Sequence, residues 1–136
     1  MSKNNLARHS ILEKPLSKLS KDSGEDAPVY IEEIPFQGIF VLRSLNTLKD
    51  LNEALEDILG VQLVNTPNKV THGKSMGQEL KIFWLREGQW QIVCPPENRQ
   101  DLFSQIEAAL KDKDSSIVDI SDGHTTLCLK GDKVRD

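Results

Sequence analysis

No apolar run in this chain approaches the ~20 residues that a membrane-spanning helix needs. No leading positive charge, apolar core and small-residue cleavage site marks a secretory signal. Only two cysteines occur, Cys94 and Cys128. Both lie in apolar runs, which reads as buried free thiols in a reducing, cytoplasmic setting; a Cys94–Cys128 disulfide stays open on sequence alone. His9, His72 and His124 are scattered, with no pair at metal-ligand spacing. The chain has no G-x-G-x-x-G, and Ser121 lacks the glycines of a nucleophile elbow. Neither cysteine has a basic neighbour that makes an obvious thiolate. These absences remove the common catalytic constellations. They leave no catalytic residue, no metal site and no assignable cofactor-binding residue.

What is present suffices for one domain with its own core: 136 residues, 38% of them hydrophobic. The net charge of −4 is unevenly spread. Lys3, Arg8, Lys14, Lys18 and Lys21 face one acid, Glu13, in the first 21 residues, and the remainder is strongly acidic. A basic arm suggests nucleic acid or a membrane surface. This one has no aromatic residue to stack a base, and the acidic body repels phosphate. The arm therefore reads as a solvated tail, with no nucleic-acid or membrane partner. Residues 1–28 form that flexible polar tail, ending in the linker-like Lys21–Pro28. Leu6, Ile11, Leu12, Leu16 and Leu19 line one face of a short helix that Pro15 interrupts.

Residues 29–136 read as a single α+β domain. Val29–Ile34 and Phe36–Arg43 are strand-like, and Ile39–Leu42 is apolar throughout, as in a strand buried on both faces. Asn46 is placed to cap a helix in which Leu48, Leu51, Ala54, Leu55, Ile58 and Leu59 share a face, with Gly60 as its stop. Val61–Val64 reads as a short strand and Asn65–Gly77 as a long polar loop. Within that loop Gly73-Lys74-Ser75 matches the end of a P-loop, but Asn68 stands where its first glycine belongs and strand-like alternation follows instead of a helix. Glu79–Leu85 and Gln89–Cys94 make a hairpin flanked by Trp84 and Trp90. Glu97–Lys111 is the second amphipathic helix.

Ser116–Gly131 follows, with two alternating runs on either side of Asp122-Gly123, a strong turn signal. The pattern predicts a β-hairpin. His124 beside Asp122 has the composition of an acid–base couple, but in a turn it reads as a hydrogen-bonded surface histidine. Trp84, Trp90 and His124 are the candidate partner-contact residues.

The same stretch carries a resemblance. Asp119, Ser121, Asp122, Gly123, His124, Thr125, Leu127, Leu129 and Gly131 resemble the Asp-hydrophobic-Ser-Asp-Gly and Thr-x-Leu-x-Leu-x-Gly pattern of the γ subunit family of heterotetrameric sarcosine oxidase. That family usually has Arg where His124 stands, and often Pro where Asp132 stands. A second block, Trp84–Pro96, resembles its Trp-Leu-Gly-Pro-Asp-Glu-Trp-Leu run ending in Ala-Pro-Pro. Arg86 and Glu87 replace the Gly-Pro, and Gln89 replaces the acid.

The resemblance covers residues 29–136. It implies the folate-binding type of fold found in the glycine-cleavage T-protein, of which this chain holds the first ferredoxin-like half and the strand leading into the second. That half is a mostly antiparallel sheet of about six strands with two helices on one face. It also implies a non-catalytic accessory or assembly subunit of a sarcosine oxidase-like complex, whose flavin, NAD and tetrahydrofolate are bound by other subunits. No cofactor is then expected in this chain. Other sarcosine oxidase-like subunits are the expected partners. The alternative is a stand-alone folate-binding module, for which tetrahydrofolate is the ligand. In isolation a homodimer is expected, because Thr125–Lys130 belongs to a strand whose partner half is missing and which leaves an open edge.

Overall fold

The computed structural model of the protein describes residues 8–19 and 27–135. In chain order the elements are α1 (Glu13–Leu19), β1 (Tyr30–Ile34), β2 (Gly38–Ser44), α2 (Leu48–Leu59), β3 (Val70–Ser75), β4 (Gln78–Arg86), β5 (Gln89–Cys94), α3 (Arg99–Leu110), β6 (Ser115–Asp119) and β7 (Thr126–Lys130). Mixed helices and antiparallel sheets make this an α+β protein. Its contacts divide into two units: Phe36–His124, and a smaller one joining the chain up to Pro35 with the chain from Thr125 onward. None of the described helices is long and apolar enough to cross a membrane.

In the larger unit the strand order is β3-β4-β5-β2-β6, and every pairing is antiparallel. Strand alternation sorts the side chains. Phe40 and Leu42 of β2 lie level with Ile92 and Trp90 of β5, all buried on one face. The helices complete that core with Leu51, Leu55 and Leu59 from α2 and Leu102, Ile106 and Leu110 from α3. The Phe40 and Phe103 rings meet edge to face at 5.4 Å, an arrangement their quadrupoles favour. Gly60 ends α2 in the left-handed conformation (φ 66°), and its N–H donates to Glu56 O at 2.8 Å. A Cβ here would run into the Lys74 carbonyl, so this stop requires glycine on two counts.

Several local expectations are corrected. The cap of α2 is Thr47, whose Oγ1 accepts from Asp50 N–H at 3.2 Å. Asn46 is occupied elsewhere: its Oδ1 accepts from Ser115 Oγ at 2.7 Å. Val61–Val64 is not a strand. Asn52 takes both backbone groups of Leu63, accepting its N–H at 2.7 Å and donating to its C=O at 3.1 Å, and the Val64 carbonyl accepts from Trp90 Nε1. With side chains satisfying the backbone, no ladder forms. The polar stretch read as a loop contains strand β3, joined to β4 through Met76 and Gly77 at φ 49° and 77°. The second helix opens as a 3-10 turn at Pro96–Asn98 before α3 begins at Arg99.

The largest correction concerns Ser116–Gly131. It is not a hairpin. β6 pairs with β2, while β7 pairs with β1, from Tyr30 opposite Lys130 to Ile34 opposite Thr126. Asp122-Gly123 is not a two-residue loop but part of a 3-10 turn, Ser121–Gly123. The expected six-stranded sheet is therefore five strands, with a separate two-stranded ribbon. The open Thr125–Lys130 edge expected from sequence is occupied on one side by β1.

In the smaller unit the ribbon is held by polar side chains as well as its ladder. Lys130 Nζ meets Glu32 Oε2 at 2.6 Å, and Thr125 Oγ1 donates to Glu33 Oε1 at 2.6 Å. Ser10 Oγ donates to the other oxygen of Glu33 and ties the segment ahead of α1 to β1.

Candidate functional site

The motif residues after β6 converge on one side chain from a distant part of the chain. Asp119 ends β6, and its Oδ1 accepts from Ser121 N–H at 2.9 Å and Ser121 Oγ at 2.5 Å. This carboxylate-to-next-turn bonding is what Asp does at turns, and it tightens Ser121–Gly123. Ser121, buried, also accepts the Ile39 N–H at 2.8 Å. β2 is thereby held to the turn just beyond the ladder. The Ile120 N–H adds a backbone bond to Ile39 O at 2.9 Å.

Arg99, at the start of α3, closes the cluster. Its Nε donates to Asp119 Oδ2 at 2.8 Å, and its Nη1 and Nη2 donate to the two oxygens of Asp122 at 2.9 and 3.2 Å. The hydrogen bonds it donates to Asp122 and then to Asp119 raise the guanidinium pKa above its ordinary value, which keeps it charged throughout. For Asp119, burial pushes the carboxyl up, but the bonds from Ser121 and Arg99 outweigh it and hold it below the usual range. The side-chain oxygens of Ser121 and Asp119 are thus all engaged within the cluster. The arrangement is a clamp that joins β2, the end of β6 and α3.

Arg99 was not legible as part of this motif. One signal existed: a cation in the first turn of a helix opposes the helix dipole, so its presence there implies paired carboxylates. Gly123 has an ordinary backbone conformation, and a Cβ on it meets nothing within 4 Å. The glycine of the motif is therefore not demanded by the turn.

The three candidate contact residues are placed apart in character. Trp90 is 2% exposed, and its Nε1 donates to Val64 O at 2.9 Å. Trp84 packs partly buried against the same core, with an Nε1–H that is buried and has no acceptor among the described residues. His124 is exposed beside the clamp, and its Nδ1 lies 3.0 Å from Ile120 O, so the proton sits on Nδ1. Cys94 is buried and Cys128 half-buried, and both are free thiols. Burial pushes the Cys94 thiol up to about 11. Among the described residues no group of three or more His, Cys, Asp or Glu side chains is placed to hold a metal ion.

Comparison with known proteins shows the fold. No family model matches the chain, and no curated protein does. Among solved structures it is similar to a chain of the heterotetrameric sarcosine oxidase from Corynebacterium sp. U-96, determined in complex with pyrrole 2-carboxylate. The identity is 20% and the TM-score 0.72, over 92% of this chain and 62% of that one. It is also similar to the glycine cleavage system aminomethyltransferase T from Bartonella henselae, at 15% identity and a TM-score of 0.66, over 80% of this chain and 30% of that one. The chain thus spans under two thirds of one and under one third of the other.

Proposed function

We propose that this chain is a non-catalytic assembly subunit of a sarcosine oxidase-like complex. The observation that supports it most is the fold shared with a heterotetrameric sarcosine oxidase chain across 92% of this one. The Asp119–Gly131 and Trp84–Pro96 motifs point the same way. The clamp fits a scaffolding role, because its acid, base and hydroxyl groups are all engaged with one another. The partners are then the flavin-bearing subunits of such a complex. The reason for expecting a homodimer was an unpaired Thr125–Lys130 strand; that strand is paired with β1, and the proposed assembly is heteromeric.

The test is native purification of the tagged chain from its own cells. Co-purification of a protein with flavin absorbance, and peroxide formation on adding sarcosine, is the expected result. A chain that elutes alone, with no flavin in any fraction it reaches, overturns the proposal.

The second reading, a stand-alone folate-binding module, draws on the likeness to aminomethyltransferase T. Titration with tetrahydrofolate separates the two. A saturable quench of Trp84 and Trp90 fluorescence in the isolated chain supports the module; no response supports the subunit.

A further inference from the structure

We propose that β6 is a docking edge, whose outer side takes an extended acidic segment of a partner chain as a sixth strand. The identity of that partner rests on the heteromeric reading above. The site rests on the sheet alone.

β6 ends the sheet, and among the described residues its one ladder partner is β2. The register fixes which backbone groups are free. Leu45 N–H donates to Asp114 O at 2.8 Å, and Ile120 N–H donates to Ile39 O at 2.9 Å. Between these two bonds Arg43 faces Ser116 and Val41 faces Val118. Antiparallel ladders alternate. The N–H and C=O of Ser116 and Val118 therefore point to β2, and those of Ser115 and Ile117 point outward. Free edges in native sheets are usually blunted by proline, lysine or a bulge. Ser115–Val118 has none of these, and Val118 is 53% exposed.

The edge is also flanked by room for side chains. One cavity, of about 600 Å³, lies at the start of β6 and is lined by Arg43, Arg86 and Lys113. A second, of about 240 Å³, runs between the end of α3 and β6 and adds Lys111 and Ile117. Ser115, Ser116 and Lys113 belong to both. Added strands of this kind gain affinity from the main chain and specificity from pockets for alternate side chains.

Charge selects the occupant. The four cations of the two cavities form no ion pair among the described residues. Among the described residues the Arg86 side chain bonds to Gln89, through Nε. The carboxylates lining the same cavities are three: Glu87, Asp114 and Glu107. The rim is thus net positive on a chain of net −4, which favours an acidic strand over a neutral or basic one.

The probe is a capped synthetic peptide alternating Glu and Val, added to the whole chain and followed by amide hydrogen exchange. Exchange at Ser115 and Ile117 is expected to slow by about tenfold or more. Ser116 and Val118, already bonded to β2, stay as they were. The effect fades in roughly half-molar salt and in the double variant K111E/K113E, and a Lys–Val peptide does not reproduce it. Uniform slowing, or none, overturns the proposal. So does the same alternating protection without peptide in a particle of twice 15.3 kDa, because the occupant is then a second copy. This result does not depend on whether the chain co-purifies with flavin, so failure of the subunit reading and failure of the docking edge are separately visible.

Discussion

Arg99 grips Asp122 with both terminal nitrogens of its guanidinium, at 2.9 and 3.2 Å, and keeps Nε for Asp119 at 2.8 Å. The two carboxylates are not equivalent. The Asp122 side chain is 74% exposed and that of Asp119 26%. Exposed pairs contribute about 0–1 kcal/mol, so Asp122→Asn is expected to change stability little. Asp119→Asn also disturbs the bonds to Ser121 and is expected to cost about 1–3 kcal/mol. Urea denaturation of the two variants checks the order.

The same asymmetry sets an acid limb. The Asp119 pKa is lowered from 3.8 in the folded chain. A lowered carboxylate adds stability above its unfolded value and loses it as pH falls through the folded value. Stability is expected to decline below about pH 4, and Asp119→Asn to flatten the decline. Thermal melts at pH 2 to 6 would show parallel curves for both proteins if Asp119 had no part in it.

Around the turn, Ser121→Ala is expected to be the most damaging of three changes. It leaves the buried Ile39 N–H without its acceptor, a loss of about 1–3 kcal/mol. Gly123→Val and His124→Ala are both expected to be mild, because Gly123 has open space around it and His124 is exposed. Melting temperatures of the three variants rank them.

For the tryptophans burial and hydrogen bonding point to the same order. Trp84→Phe removes a buried N–H that has no acceptor among the described residues and is expected to be neutral within about 1 kcal/mol. Trp90→Phe strands the Val64 carbonyl and is expected to cost about 1–3 kcal/mol. Guanidinium denaturation, read by circular dichroism, makes the comparison without relying on the fluorophores.

Alkylation at pH 8 is expected to label Cys128 well before Cys94. Burial holds the Cys94 thiol at about 11, so almost none is thiolate. Peptide mass spectrometry over a time course tests this, and equal labelling rates would mean that Cys94 is reached by solvent.

Helix α2 was the most legible element. Its leucines recur at helical spacing because one face meets a sheet, and Gly60 ends it for reasons local to the backbone. Strand β2 was legible too, since its apolar run is long enough to leave no other reading. The failures share a cause. Asp122-Gly123 carries a hairpin signal of short range, but Arg99 and Ser121 give the turn better partners than a ladder offers. Val61–Val64 looks like a strand until Asn52 and Trp90 claim its backbone. Strand β3 is polar because it lies at the edge of the sheet, where little burial writes itself into composition. The clamp was half legible: its carboxylates and serine are contiguous, whereas Arg99 lies twenty residues upstream of Asp119.

Tyr30 faces Lys130 across the ribbon, so its two strands are made far apart in time. At ~5–20 residues per second, roughly 5–20 s of synthesis separates β1 from β7. Throughout that interval β1 has no ladder partner, while every strand of the five-stranded sheet is translated. Closing the ribbon then joins segments roughly 100 residues apart in sequence, the non-local kind of contact that forms slowly. The order of maturation follows from connectivity: the sheet has all its parts before the ribbon can begin. The lone tyrosine, Tyr30, lies in the ribbon, and both tryptophans lie in the sheet. The chain therefore carries a separate optical reporter for each of the two events.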